Sequence, residues 1–487
     1  MTSSPENRST KLLYGLGQAA EGIKTATFAI FLIFYYNQVL GLSGSLSGLA
    51  VGIAIIFDAI TDPLIGSLSD RWKSRLGRRH PFMYASIIPF CLTIFLLFSP
   101  PQGMSEFNLF IWLTVFAVLT RSAMTLFYVP HIALGAELSS DFDERTSIVS
   151  YRFFFGTIGM LVAIGLGFGV FLADTENGQG LFDPGQYSLM AGALAVVMFF
   201  VMITCALGTQ KRASTLYEPS AEKPTGRLSG LPVQLAKDLL SALSNYSFRG
   251  LFFGLLVTAI MIGVDNSLSL HMNSFFWELT SEQNTVFFVA NPIGILIGVM
   301  LTRWLGVMFG KKPLIIWGTG GWLFFQITPI VLRFAGMVPE NGAPELLWVL
   351  VSSKFLQGLF LAQILVSLHS MIADIVDEHQ LESGQRNEGI FFAAIGFSGK
   401  ATSGLGSFAS GVALDLIAWP KGAAIRSASD VPPDTIAALG LLYGPGIAVF
   451  GIVSMWCYSR HSLDRNRYRE IQEELQRRQQ AAENLVV

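Results

Sequence analysis

Runs of about 20 apolar residues leave a chain few choices, because each is long enough to cross a hydrocarbon core as one helix. In lipid no water serves the backbone, so a spanning segment must pair its own N–H and C=O groups, as a helix does. This sequence holds twelve such runs, at about 13–40, 44–68, 81–99, 108–135, 148–173, 188–209, 249–274, 284–308, 314–336, 346–373, 389–418 and 436–458. Their sum shows in the composition: 52% of the 487 residues are hydrophobic, 14% are charged, and the mean hydropathy is +0.51. Those values exclude an ordinary soluble enzyme. The first run starts behind Arg8 and Lys11 and reaches about Leu40 with no small-residue cleavage site after it, so it reads as a retained helix. Cys91, Cys205 and Cys457 are scattered among the apolar runs, which argues against a disulfide framework or a metal centre.

Between the sixth and seventh runs lies a polar stretch, Gln210 to Arg249, containing PSAEKPTGRLSG. The expected fold is therefore all-α: a polytopic membrane protein with twelve transmembrane helices in two six-helix bundles. The bundles are expected over 1–209 and 249–458, joined by a central loop over 210–248 and followed by a helical tail over 459–487. Positive charge sets the orientation. Arg71, Lys73, Arg75, Arg78 and Arg79 follow the second run, Lys211, Arg212, Lys223, Arg227 and Lys237 lie in the central loop, and Arg460 to Arg478 crowd the tail. The alternate loops hold Lys421 and Arg426. By the positive-inside rule both termini and the central loop are cytoplasmic. The charged tail is expected to be a solvated or membrane-surface helix with no transport role.

One apolar run carries a costly interruption. In LAVGIAIIFDAITDPLIGSLSD, Asp58 is followed four residues later by Asp62, with Thr61 between them and Pro63 next. Four residues is about one helical turn, so both carboxylates share a face, with Cβ atoms roughly 5–6 Å apart. Each carboxylate at mid-membrane costs on the order of 2.5–3.5 kcal/mol, and the two repel. Either one holds a proton or a cation sits between them. The alternative is a structural ion pair between helices.

The loop Gly66-Ser-Leu-Ser-Asp70-Arg71-Trp-Lys-Ser-Arg-Leu-Gly77-Arg78-Arg79 resembles the cytoplasmic loop signature of the major facilitator superfamily. Asp70 and the arginines there can form charge pairs between halves. A fainter echo, Gly310-Lys311-Lys312-Pro313, falls at the matching place in the second half, as internal repeats do in such folds. Tyr14-Gly-Leu-Gly17, Phe57-Asp-Ala-Ile-Thr-Asp-Pro63, Ala373-Asp-Ile-Val-Asp377 and Lys400 together resemble the glycoside–pentoside–hexuronide:cation symporters, the melibiose-permease-like family. The resemblance implies a cation site at Asp58, Thr61, Asp62 and Thr125, a functional lysine at Lys400, and a substrate contact at Arg152. It also implies a cytoplasmic gate at Asp374, Asp377, Arg386 and Glu388, with Asp70 and Arg71 of the loop signature; for the first four the alternative is a solvated loop.

The departures from the family bear on substrate. Gly22, beside Glu21, and Tyr128 stand where the melibiose carriers have sugar-binding aspartates, and carboxylates accept paired hydrogen bonds from sugar hydroxyls. Asp58-Ala-Ile-Thr-Asp-Pro-Leu, Phe127-x-Val-Pro, Glu388-Gly-Ile-Phe-Phe, and Lys400 with Asp415 fifteen residues on also resemble the sodium-dependent lysophosphatidylcholine symporters. Arg121, near mid-membrane on the fourth helix, is unexpected. Its charge needs a partner or a wet cavity. It either binds an anionic substrate group or pairs with Asp58 or Asp62 and stands in for part of the coupling cation. Asp265 and Asn266 are candidates to line the cavity, and Lys354 and Gln357 stand one turn apart on the tenth helix.

The expected function is secondary active symport of a sugar or glycoside-type solute, driven by Na+ or H+, across the plasma membrane by alternating access. An anionic or amphiphilic solute, such as a lysophospholipid, uronate or sulfonated sugar, is the alternative, and a non-transporting scaffold or scramblase is a third reading. No cofactor beyond the coupling ion is expected, and the partners are the solute, a monovalent cation and the bilayer, with no nucleic acid and a monomeric chain. The sequence shows no nucleophile–base constellation, no HExxH spacing and no phosphate-binding glycine loop, so an enzyme is not expected.

Overall fold

The structure is a computed structural model, and it describes residues 8–139, 142–175, 178–216, 242–243, 245–383, 388–422, 424–461 and 465–486. Arg386 and most of the central loop lie outside the described residues, as does the side chain of Glu388. Twelve long helical segments appear among the described residues, in the order of the apolar runs. They are α1 (Arg8–Ala26, continued through π turns to Val39), α2 (Gly44–Arg71), α3 (His80–Leu97), α4 (Glu106–Glu137), α5 (Phe142–Leu166) and α6 (Pro184–Leu216). The second series is α7 (Tyr246–His271), α8 (Ser281–Phe309), α9 (Lys311–Phe334), α10 (Pro344–Ser383), α11 (Glu388–Leu416) and α12 (Pro433–Ser459). A further helix, α13 (Arg465–Val486), forms the tail. Ten of the twelve are long and apolar enough to cross a membrane by length and composition. Large apolar side chains such as Ile88, Phe107, Met300 and Leu416 stand exposed on the helix surfaces, as a lipid-facing chain requires.

The helices outrun the apolar runs that announce them. α10 continues about ten residues past Ala373 through Asp374-Ile-Val-Asp-Glu-His-Gln-Leu-Glu-Ser383, since charged residues with good helix propensity extend a helix beyond its apolar stretch. Starts are set by local chemistry. The Ser105 hydroxyl accepts the Asn108 N–H at 3.3 Å at the head of α4, and the Asn245 side-chain oxygen accepts the Phe248 N–H at 2.8 Å at the head of α7. Gly77 and Gly310 precede α3 and α9 with φ of +84° each, a left-handed conformation that favours glycine. The repeated sequence element is thus a repeated turn.

By contacts the chain forms two compact units. The first comprises Met1–Ser229, Gly263–Val289 and Ser403–Gly440; the second comprises Gly230–Ile262, Ala290–Thr402 and Leu441–Val487. In the first, α1 packs on α5 and α6, α3 on α4 and α6, and α2 on α4. One end of this unit, remote from Arg71–Arg79, is tied together by polar bonds. Asp415 accepts the backbone N–H groups of Gly44 and Ser45 at 2.9 and 2.8 Å, capping α2, while Lys421 pairs with Glu106 at 2.7 Å. Trp419 donates its indole N–H to Gln38 at 2.8 Å. A two-residue antiparallel bridge, Asp174–Thr175 with Gly178–Gln179, sits in the α5–α6 loop at the same end.

In the second unit α9 packs on α10 and α12. Its core gathers Phe248, Met371, Ile372, Ile375, Val376, Phe391 and Tyr458, and it includes Ile471 of the tail. The tail is therefore packed on α10 along one face, not wholly solvated.

Candidate functional site

α2 and α4 cross where their polar residues meet. Asp58 and Asp62 lie one turn apart on α2, and Arg121 and Thr125 lie one turn apart on α4, so each helix presents a pair to the other. The Thr125 hydroxyl lies 2.7 Å from Asp58 Oδ1 and 3.0 Å from Asp62 Oδ1. Arg121 Nη1 lies 3.2 Å from Asp58 Oδ2, and the guanidinium rests over the Phe28 ring of α1 at 5.1 Å. Asp58 is 5% exposed and Thr125 2%, while Asp62 and Arg121 are half-buried. Pro63 follows directly and has no N–H to give the Ala59 carbonyl, which frees a neutral oxygen one turn back on α2. Thr61 donates its hydroxyl to the Asp58 backbone carbonyl at 3.2 Å.

One hydroxyl has one proton. Thr125 can donate to only one of the two carboxylates it touches. If both were ionised and nothing else intervened, the second contact would set a lone pair against a negative charge. The geometry is at ease when one carboxyl carries a proton and donates to Thr125, or when a cation draws the three oxygens together.

A second cluster shares α4. Tyr14 stacks on His131 with centroids 4.4 Å apart, and a ring nitrogen of His131 lies 2.8 Å from the Tyr14 backbone oxygen. Arg152 reaches the Tyr14 side chain, with Tyr128 beside it. The sequence pattern Tyr14-Gly-Leu-Gly17 is explained by this packing. A Cβ at Gly17 would lie 2.6 Å from Cys205 Sγ and 2.9 Å from His131 Nε2. Gly22 answers to the same need: a Cβ there would lie 2.0 Å from the Gly156 carbonyl oxygen, so the position lets α1 and α5 touch backbone to backbone. A carboxylate could not replace it without moving α5. Glu21, its neighbour, pairs with Lys24 at 2.6 Å.

The charged loop between α2 and α3 closes on its own unit. Arg79 pairs with Asp70 and, at 3.0 Å, with Glu137 at the end of α4, while Arg78 reaches Glu137 at 2.8 Å. Asp70 thus finds its partner across the loop, within its own half. Arg71 is half-buried, with its Nε lacking a hydrogen-bond partner. At the matching place in the second unit, Lys311 reaches both oxygens of Asp374, at 2.7 and 2.8 Å, and lies 5.3 Å from the centre of the Tyr468 ring of the tail. Asp377 accepts from Gln472 of the tail at 2.7 Å. Asp265 is buried on α7 in the first unit, and Lys400 is half-buried on α11 in the second. Lys354 and Gln357 meet at 3.3 Å on α10.

Sequence reasoning missed the part played by Asp415 as the cap of α2, and by Gln472 and Tyr468 as neighbours of the second charge cluster. For Asp415 the signal was there, an acid in the last turn of an apolar run, but its partner helix is distant in sequence.

Taken together, the ten helices long and apolar enough to cross a bilayer define a multi-pass membrane protein. A solved nucleoside transporter, NupG, matches 92% of this chain and 98% of its own with a TM-score of 0.61 at 15% identity, which shows the major facilitator fold. The chain belongs to the family described as MFS/sugar transport protein, whose sequence model matches residues 13–465. Among its relatives, the inner membrane symporter YicJ of Escherichia coli (strain K12) is 27% identical over 94% of this chain and 91% of its own. The sodium-dependent lysophosphatidylcholine symporter 1-B of Danio rerio is 23% identical over 84% of this chain and 79% of its own.

Proposed function

We propose that this protein is a cation-coupled symporter of a sugar or glycoside-type solute, with Asp58, Asp62 and Thr125 holding the coupling cation. The observation that carries the reading is the single Thr125 hydroxyl set between two carboxylates, at 2.7 and 3.0 Å. That arrangement calls for a positive guest, and an oxygen-only donor set suits a hard cation such as Na+, though a shared proton fills the same need. Thr61, between the two carboxylates on α2, would add its hydroxyl oxygen to the cation's set while donating to the Asp58 backbone carbonyl at 3.2 Å. Arg152, Tyr128 and Asp265 would face the solute, and Lys400 would couple it to the ion.

Cation binding lowers the charge cost of the carboxylate pair and favours the state that accepts solute, and both cross by alternating access. Asp70, Arg71, Asp374 and Asp377, with Arg386 and Glu388, would gate the side bearing the termini, which the charge asymmetry makes cytoplasmic. The membrane is the plasma membrane, and the working unit is one chain.

A second reading takes an amphiphile as the solute. It is favoured by Gly22, whose contact with Gly156 leaves no room for a sugar-binding carboxylate, and by similarity to a symporter named for lysophosphatidylcholine. A thermal-shift screen of purified protein with sugars, uronates, sulfonated sugars and lysolipids, each with and without sodium and at two pH values, separates the readings. One class should stabilise the protein in an ion-linked way. Stabilisation by no class, or by a class indifferent to both ions, would overturn the symport model.

A further inference from the structure

Arg121 is held by less than a guanidinium can use. It has five N–H donors. Its Nη1 reaches Asp58 Oδ2 at 3.2 Å, a single long contact, and its Nε has no hydrogen-bond partner although the side chain is 13% exposed. The rest of the group lies on the Phe28 ring. A buried, charged donor left unmatched is costly, and it calls for an oxygen acceptor. The acceptor on the other side is already shared: Asp58 Oδ1 is taken by Thr125.

We infer that Arg121 is a displaceable internal counter-ion: the coupling cation takes Asp58 from it, and the released guanidinium then holds an oxyanionic group on the solute. This deepens the symport reading and rests on it. Both halves follow from the same geometry. Arg121 and a bound cation compete for one carboxylate, so each weakens the other's hold on Asp58. A guanidinium driven off Asp58 in a low-dielectric site seeks a planar oxyanion, which it can grip with two parallel N–H groups. The ion therefore raises affinity for an anionic solute without touching it, which is the coupling a symporter needs. The solute class is a carboxylate, sulfonate or phosphate ester, and a neutral glycoside would use the same site without the ion-dependent gain.

The test uses the full chain in detergent, read by thermal unfolding and equilibrium binding. In each of two probe pairs one member carries an oxyanion that the other lacks: 4-nitrophenyl β-D-glucuronide against the glucoside, and lysophosphatidylglycerol against monoacylglycerol. They distinguish a sugar acid from a lipid headgroup as the source of the oxyanion. Saturating sodium, or low pH if the ion is a proton, should favour the anionic member of one pair by about tenfold in the natural protein. Arg121→Gln should erase that preference and bind the ion itself about tenfold more tightly, since its rival is gone. Arg121→Lys, which keeps the charge, should retain much of the natural ion affinity and controls for misfolding. An unchanged or weaker ion affinity in Arg121→Gln overturns the inference, as does equal binding of both members of both pairs, while the symport reading survives. Loss of any ion response in the natural protein sinks both.

Discussion

Where α2 crosses α4, two carboxylates, a hydroxyl and a guanidinium meet; where α8 crosses α10, at the corresponding place in the second half, bare backbones meet. A Cβ on Gly294 would lie 2.1 Å from the Phe355 carbonyl oxygen, and one on Gly358 would lie 2.2 Å from that of Asn291. A Cβ on Gly298 would lie 2.6 Å from the Leu359 carbonyl oxygen, and Gln363 donates to the Gly298 carbonyl at 2.9 Å. The same helix pair is thus joined by close van der Waals approach in one half and by ionisable side chains in the other. Small residues are the usual way to hold membrane helices together, whereas buried charge is expensive and marks function. The loops before α3 and α9 carry the same left-handed glycine and the same basic–acidic clasp, Arg78 and Arg79 on Glu137 and Lys311 on Asp374. Against that shared frame, the difference at the crossings stands out. One crossing keeps the packing solution, and the other replaces it with ionisable side chains.

The contrast can be broken by exchange of properties. Asp62→Asn removes a charge from the α2–α4 crossing and should cut ion-driven accumulation in proteoliposomes by about 100-fold, with the protein still folded. Retained accumulation at natural ion dependence would show that the pair is merely structural. Gly358→Ala at the packed crossing should do the reverse, lowering stability by about 1–3 kcal/mol through overpacking while the ion response of the survivor stays natural. An unshifted unfolding midpoint would mean that the two helices do not touch as described.

Thr125→Val keeps the shape of the crossing and deletes the shared hydroxyl. Ion affinity should fall by about tenfold, the equivalent of one hydrogen bond to a charged group, read from the sodium midpoint of thermal stabilisation. The smallest effect belongs to the second unit. His461 is buried, and its Nδ1–H donates to the Ser247 carbonyl at 2.9 Å, while its own carbonyl accepts from Lys312 at 2.7 Å. Burial holds its pKa below the ordinary 6.5. The folded state therefore binds a proton less readily than the unfolded chain. The stability it contributes is complete above about pH 6.5 and is lost as pH falls below that value toward the depressed folded pKa. His461→Gln should flatten the pH dependence of the unfolding midpoint below pH 6.5, whereas an unaltered slope would assign it elsewhere.

Much of this is legible in the sequence. Apolar run length dictates helices because lipid offers the backbone no alternative, and all twelve runs are helical among the described residues. The carboxylate pair was visible because two acids four residues apart share a helix face whatever the fold. Less visible were the ends. α10 runs on through Asp374 and Asp377, and the tail helix meets Asp377 through Gln472, a contact backed by Ile471 with Tyr468 and Leu475 packed beside it. Nor does sequence spacing show that Gly22 serves an interhelical contact, since glycine reads alike at a turn, a crossing or a lost binding residue.

The sequence by itself determined that the chain spans a membrane many times, and that Asp58 and Asp62 share one helix face where two bare charges are costly. Those conclusions rest on local quantities: hydropathy over 20 residues, the 3.6-residue turn and the cost of charge in hydrocarbon. Only the tertiary structure brought Arg121 to Asp58, a contact that joins residues 63 positions apart. It also showed that one Thr125 hydroxyl serves two carboxylates, and that the second half replaces the whole arrangement with glycine. Such contacts depend on how helices cross, and crossing is fixed by packing across the whole fold.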